Sequence, residues 1–182
     1  MTTLLTVGHG TASADELATL LKGAGVDLLV DIRRFPGSRT HPMMRREEME
    51  RWLPESGVGY RWDVRLGGRR SLPKGQDDDT DAWWQVKAFR AYAAYTRTPE
   101  FTAALADLLA DARERRTVIC CSESVWWRCH RRLIADVLEL TSDLTVWHLG
   151  HNGRLSQHPV AEGARRREDG LVVWDGATGR GG

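Results

Sequence analysis

Residues 117–132 read TVICCSESVWWRCHRR, and this stretch holds all three cysteines of the 182-residue chain. Its first five residues form a continuous apolar run, which is typical of a parallel strand buried on both faces. The helical pattern that follows carries its apolar residues at Leu133, Ile134, Val137 and Leu138. This order of strand, polar loop and helix predicts one repeating unit of an α/β sheet.

The rest of the chain alternates the same two patterns. Further strands are predicted at 4–7, 27–32, 60–64 and 144–149, with an edge strand at 171–174. Helices are predicted to begin at 13, 46, 81 and 99, and to run from 129 to about 140. We therefore expect an α/β fold, a three-layer sandwich whose mostly parallel central sheet is covered by helices on both faces.

Length and composition bear on how the chain is organised. Its 182 residues predict a single domain spanning 1–182. The polar, acidic stretch at about 71–81 predicts a mobile surface loop in which Asp81 caps the next helix. The pattern weakens into a tail from about 154 onward. Arg132 and Asp136 lie one helical turn apart and predict a surface ion pair.

Charge and cysteine content narrow the class of protein. The net charge of +1 argues against strong, sequence-independent attraction to nucleic acid. The first residues lack a signal-peptide pattern and no apolar run approaches a membrane span, so we expect a cytoplasmic protein without membrane contact. An odd number of cysteines in that setting predicts reduced thiols. We expect no cofactor.

Polar segments follow the predicted strands at the point where each strand ends. They lie at 8–10, 31–39, 67–70, 121–130 and 150–152. Because ligands of open α/β sheets collect at the carboxyl ends of the strands, we expect these segments to meet at one rim.

Cys121 ends the apolar strand and faces the start of the next helix. The helix N-terminus, together with Arg131 or His130, is expected to lower the pKa of this thiol, which favours a nucleophile or an anion contact. The alternative is a small buried apolar residue, the usual state of free cysteine. Cys120 points to the opposite face by strand alternation and is predicted to be core.

Two further side chains could take part in chemistry. Glu123 is a candidate general acid or base, or the partner of a ligand hydroxyl or amine, and alternatively caps the loop. His130 is either a base beside the thiol or a core histidine bonded to a carbonyl. Zinc could be held by Cys121, Cys129, His130 and His9, but their spacing lacks the C-x₂-C pair of structural zinc sites, so no metal is predicted.

Several separated motifs resemble one family. These are Thr6–His9, Leu29–Arg33 with Pro36 and Ser38-Arg39, Leu66–Arg69, Cys121-Ser122-Glu123 with Trp127, and Cys129-His130-Arg131 with Ile134-Ala135. In this order they resemble the bacterial family of domain of unknown function 488. The resemblance implies an α/β sandwich with a signature segment at Cys121, Glu123, Cys129, His130 and Arg131, and further polar marks at His9, Arg33 and Arg39.

The chain departs from that pattern at two places. Ser122 stands where alanine is frequent, and the acidic residues at 77–81 are an insertion. The strand at 30–33 and a later strand ending in cysteine are also similar to rhodanese-like domains, but the six-residue loop after the cysteine is missing. That likeness is an analogy of fold.

Three functions remain open from the sequence. The first is a small enzyme that acts through Cys121, Glu123 and His130 on an anionic, phosphate-bearing or nucleotide-like ligand. The second is a nucleotide or nucleic-acid binding module without turnover, in which Trp126 and Trp127 stack on bases. The third is a purely structural thiol cluster. The residues expected to bind the ligand are His9, Arg33, Arg39, Arg69, Cys129 and Arg131.

Overall fold

The structure is a computed structural model that describes residues 2–75 and 79–176. Its main sheet contains six strands: β1 (Thr3–Gly8), β2 (Leu28–Asp31), β3 (Gly59–Trp62), β4 (Thr117–Cys121), β5 (Thr145–Leu149) and β6 (Leu155–Gln157). They lie in the order β3-β2-β4-β1-β5-β6, and all are parallel except β6, which runs antiparallel to β5. The predicted mostly parallel sheet is confirmed.

Within the described residues, five α-helices cover the two faces of this sheet. They are α1 (Ala14–Gly23), α2 (Arg46–Glu55), α3 (Lys87–Tyr95), α4 (Pro99–Glu114) and α5 (Arg131–Thr141). One apolar core joins the sheet to α1 and α2, and a second joins it to α3, α4 and α5. The α/β sandwich with helices on both faces is therefore confirmed.

Strand β4 is buried on both faces, which explains its continuous apolar sequence. Val118 and Cys120 belong to the core under α1 and α2, whereas Ile119 and Cys121 belong to the core under α3, α4 and α5. All four side chains are buried. A strand with one face in water would alternate apolar and polar residues, so this pattern fixes β4 at the centre of the sheet.

Helix α3 starts later than predicted. It begins at Lys87, and Asp81 does not cap it. Asp81 instead accepts two hydrogen bonds from the Arg97 guanidinium and one from the backbone N–H of Trp174. Trp84 lies before the helix and is still buried. The buried contacts of Asp81 with distant segments outweigh its preference for a cap.

The strands near the carboxyl terminus also differ from prediction. Val172–Val173 (β8) pairs with Arg165–Arg166 (β7) in a separate two-stranded sheet, so the expected edge strand at 171–174 is wrong. One edge of the main sheet is β6, whose three residues are all exposed and include a single apolar side chain, Leu155. Residues 76–78 of the predicted loop and 177–182 of the predicted tail lie outside the described residues.

The predicted surface pair of Arg132 with Asp136 is wrong, because Asp136 is fully buried. Its Oδ1 accepts hydrogen bonds from His158 Nε2 at 2.7 Å and from the Ala161 N–H at 3.1 Å. Its Oδ2 accepts one from Trp174 Nε1 at 2.8 Å. One carboxylate on α5 thus holds three separate points of the carboxyl-terminal segment.

The Asp136 contacts continue as a chain of buried hydrogen bonds across the sheet. His158 Nδ1 lies 2.9 Å from His148 Nε2, and His148 Nδ1 lies 2.6 Å from Thr6 Oγ1. Since His158 Nε2–H donates to Asp136, each next ring donates in the same direction and the Thr6 hydroxyl ends the chain as a donor. Every polar atom along this line has a partner, as buried polar groups require.

The substitution Asp136→Asn tests this arrangement. Asparagine replaces one carboxylate oxygen, which is an acceptor, by an NH₂ group, which is a donor and would face the N–H of a neighbour. We therefore expect the free energy of unfolding, measured by urea titration, to fall by about 2 to 4 kcal/mol. Asp143→Asn is the matched control, because Asp143 is 77% exposed and 3.6 Å from its partner Arg113. It should change stability by less than about 0.5 kcal/mol. Equal effects of the two variants would contradict the buried role of Asp136.

Candidate functional site

A cleft of about 630 Å³ opens at the carboxyl edge of the sheet. Four of the five predicted rim segments line it, those that follow β1, β2, β3 and β4. The fifth, 150–152, does not: His151 donates to the carbonyl oxygen of Gly8 at 2.6 Å and Asn152 borders a separate depression beside α1. The loops therefore gather at one rim as the strand order requires.

The end of β1 packs against the loop after β4 without room for a side chain. A Cβ at Gly8 would lie 1.8 Å from the carbonyl oxygen of Glu123. The backbone N–H groups of His9 and Gly10 donate to the carbonyls of Cys121 and Ser122 at 2.9 and 3.0 Å. This contact extends the sheet by two residues and fixes the loop that carries Glu123.

Two cysteines lie in contact at the floor of the cleft. Cys121 Sγ and Cys129 Sγ are 2.8 Å apart, and both side chains are buried and line the cleft. Arg131 Nη1 donates to Cys121 Sγ at 2.6 Å. The same guanidinium donates to the carbonyls of Glu123 and Ser124. A buried cation that does not itself line the cleft thus contacts the sulfur pair.

The two thiols differ in acidity. Burial raises the pKa of Cys121, and the hydrogen bond and charge of Cys129 raise it further. Burial also disfavours a charged Cys129, but the hydrogen bond from Cys121 and the charge of Arg131 outweigh it, so the pKa of Cys129 is lowered. The expectation of a lowered pKa at Cys121 is therefore corrected: the pKa is raised at Cys121 and lowered at Cys129.

Cys120 lies on the other face of β4, as strand alternation predicts. It is fully buried in the core under α1 and α2, and burial raises the pKa of its thiol. Its place in the packing is that of a small apolar residue.

His130 is a neutral ring held by the backbone. Its Nε2 lies 3.3 Å from the carbonyl oxygen of Ile32, and its ring packs on Tyr92 with centroids 5.0 Å apart. Burial lowers the pKa of His130. With Nε2 donating to Ile32, Nδ1 is an acceptor 3.6 Å from Cys129 Sγ, a distance at which it assists the thiol only weakly.

His9 lines the cleft and carries a buried polar atom without a partner among the described residues. Its Nδ1 lies 3.0 Å from the carbonyl oxygen of Gly10, which makes Nδ1 the donor and leaves a lone pair on Nε2. That Nε2 is buried and has no hydrogen-bond partner among the described residues. Burial and the charge of Arg33 lower the pKa of His9 to about 4, so the ring is a neutral acceptor at physiological pH.

The predicted arginines separate into three positions. Arg33 is buried and forms two hydrogen bonds with Asp31, at 2.8 and 2.7 Å, while still lining the cleft. Arg69 lines the cleft with a left-handed backbone (φ 56°). Arg39 is exposed and does not line it. Arg131 lies beneath the cleft, 1% exposed, where it contacts sulfur and carbonyls.

Sequence reasoning missed two arginines of the cleft. Arg34 and Arg128 both line it, and the Arg34 guanidinium donates to the Arg69 carbonyl. Arg128 immediately precedes Cys129, and its nearness to the sulfur pair was a signal that could have found it. Glu123 also lines the cleft, and its Oε1 accepts from the N–H of Val125, so it serves the loop as the capping alternative supposed.

The neighbouring tryptophans have different surroundings. Trp126 stacks face to face on His148, with centroids 4.3 Å apart and planes 3° from parallel. Trp127 is 52% exposed. Of these two indoles, Trp127 is the exposed one, and its ring meets that of Trp126 edge to face with centroids 5.5 Å apart.

Within residues 2–75 and 79–176 no group of three or more His, Cys, Asp or Glu side chains is arranged to hold a metal ion. No helix in the same part of the chain has both the length and the apolar character needed to cross a membrane.

Comparison with known proteins gives one match. A family model described as Domain of unknown function DUF488 matches residues 13–138, more than half of the chain. No curated protein and no solved structure matches it. The matched region contains the sulfur pair, Arg131 and most of the cleft lining, and ends within α5.

The buried histidines predict how stability depends on pH. Burial lowers the pKa of His9 to about 4 and that of His148 to about 3 from 6.5. Between these values and 6.5 the unfolded chain binds more protons, so stability falls on acidification by up to about 1.4 kcal/mol per pH unit for each histidine. Urea titrations across this range should show a smaller slope for His9→Gln. An unchanged slope would contradict a neutral His9.

Proposed function

Because the chain belongs to the family described as Domain of unknown function DUF488, whose description names no activity, we propose a function from the cleft itself. The protein is a small cytoplasmic enzyme that binds an anionic ligand at the carboxyl edge of its sheet and attacks it with a cysteine thiolate. The observation that carries this proposal is the pair of cysteine sulfurs, in contact with a buried guanidinium, at the floor of an arginine-rich cleft.

The charge of the cleft favours an anion. The whole chain has 26 basic and 25 acidic residues, a nearly even balance. Among the residues that line the cleft, by contrast, Glu123 is the single carboxylate against Arg34, Arg69 and Arg128, while Arg33 is paired with the buried Asp31. A concave surface with an excess of one charge concentrates ligands of the opposite charge. A volume of about 630 Å³ suits a small molecule.

The sulfur pair supplies the nucleophile. Cys129 accepts the S–H of Cys121 and the backbone N–H of Arg131, which stabilise negative charge on its sulfur. The thiolate is the reactive form of cysteine, and a lowered pKa increases its share at any given pH. Reduced thiols of this kind persist in a reducing compartment, in keeping with a cytoplasmic protein.

His9 also constrains the ligand. Its Nε2 lone pair lacks a partner among the described residues, and a buried acceptor left unpaired costs free energy. A ligand O–H or N–H placed there would remove this cost. The cleft therefore fits an anion that also carries a hydrogen-bond donor, and Nε2 can take that proton if the reaction releases it.

A nucleotide is the second candidate ligand, because the cleft mouth offers an aromatic face. Phe35 is 62% exposed and lines the cleft, with the guanidinium groups of Arg34 and Arg69 5.3 and 6.0 Å from its ring centre. Such a ring could stack on a base while the arginines meet phosphate. Binding without turnover would follow if the thiols proved inert.

Two alkylating agents of different charge test the enzyme proposal. Iodoacetate is anionic and iodoacetamide is neutral, and they transfer groups of similar size to a thiolate. Relative to a free small-molecule thiol, we expect the native protein to favour iodoacetate about tenfold, and peptide mapping should place the label on Cys129. The preference should decrease as salt is added. Inorganic phosphate should slow the labelling by occupying the cleft.

Matched arginine variants distinguish the effect of charge in the cleft from the effect of the protein's overall charge. Arg128→Gln removes a cleft charge from an exposed side chain and should lower the iodoacetate preference several-fold. Arg113→Gln removes the same charge from the end of α4, at the opposite edge of the sheet, and should leave the preference unchanged. If native protein showed no charge preference, or no labelling of Cys129 near neutral pH, the proposed function would be wrong.

A further inference from the structure

The two sulfurs of the pair are placed for more than a single nucleophile. At 2.8 Å, they need to approach by less than about 1 Å to reach the S–S bond length of about 2.05 Å. Cys121 ends β4 and Cys129 lies just before α5, so the two come from segments joined by a short loop. The hydrogen bond from Cys121 stabilises negative charge on Cys129, and the same contact places a second sulfur within reach of any bond formed on the first.

We propose that Cys121 and Cys129 form a dithiol that exchanges with small, negatively charged disulfides, becoming an internal disulfide, and that small thiols reduce it again by the reverse exchange. The inference rests on the proposed anion-binding cleft and reactive thiol, and names their substrate class. The cleft arginines select the charge of the substrate, and the sulfur pair performs the exchange.

The reaction balances in two steps. First, the Cys129 thiolate attacks one sulfur of the substrate R–S–S–R, forming a mixed disulfide and releasing one RS⁻. Then Cys121 gives up its proton to the released thiolate or to water, and its sulfur attacks Cys129 Sγ, expelling the second RS⁻. The protein dithiol is oxidised to a disulfide, and the substrate is reduced to two thiols.

Arg131 has a defined part in the second step. As Cys121 loses its proton, negative charge develops on the sulfur that Arg131 Nη1 already contacts at 2.6 Å. The guanidinium is held in place by the carbonyls of Glu123 and Ser124, so it need not move to meet that charge. This explains why the buried cation contacts Cys121, the sulfur with the raised pKa, rather than Cys129 alone.

Three low-molecular-weight disulfides of different charge test the inference. They are glutathione disulfide (anionic), hydroxyethyl disulfide (neutral) and cystamine (cationic). With the reduced full chain, we expect glutathione disulfide to react at least about tenfold faster than cystamine, with hydroxyethyl disulfide between them. The product should lose the mass of two hydrogen atoms, and peptide mapping should join Cys121 to Cys129.

Cysteine variants divide the reaction into its steps. Cys121→Ser should stop at a stable mixed disulfide on Cys129, and Cys129→Ser should lose the rapid reaction. Cys120→Ala is the matched control, since Cys120 lies on the other face of β4, and it should react like the native chain. Far-ultraviolet circular dichroism of each variant verifies the fold. A complete mixed disulfide without the internal bond in native protein would overturn the inference.

The outcomes also separate this inference from the proposed function. Fast iodoacetate labelling of Cys129 without any internal disulfide would leave the proposed function intact and overturn the dithiol. Equal rates with all three disulfides would overturn the selection of anionic substrates. Formation of the internal disulfide at the expected charge-dependent rate, abolished in Cys129→Ser and preserved in Cys120→Ala, supports it.

Discussion

The buried guanidinium of Arg131 is the interaction on which the carboxyl edge of the sheet depends. It is 1% exposed, and its two Nη groups donate to a thiol and two loop carbonyls. A cation removed from water costs several kcal/mol unless such partners surround it. The end of β4, the loop that follows it and the start of α5 must therefore keep their relative positions for the guanidinium to stay buried. The same positions bring the Sγ atoms of Cys121 and Cys129 into contact.

Local pattern was sufficient to predict the architecture and the rim. The apolar run at 117–121 had to be covered on both faces, which predicted opposite cores for Cys120 and Cys121. The carboxyl ends of parallel strands share an edge whatever the loops contain, so the gathering of His9, Arg33 and Cys121 could also be predicted.

What could not be predicted depends on partners far away in the chain. Asp136 looked like the neighbour of Arg132, but its partners are 22 to 38 residues further on, where no helical spacing applies. Asp81 has the spacing of a helix cap, but its carboxylate accepts hydrogen bonds from Arg97 and Trp174 instead. Which thiol carries the lower pKa likewise depends on a sulfur–sulfur contact that a sequence does not show.

The absence of a side chain at Gly8 affects more than β1. Any larger residue there would push the Glu123 carbonyl aside, and that carbonyl is one of the acceptors that hold Arg131. A side chain at Gly8, more than a hundred residues before either cysteine, would thus weaken the hydrogen bonds that hold the Arg131 guanidinium beside the sulfurs. The pKa values of the two thiols therefore depend in part on Gly8, a residue without a side chain.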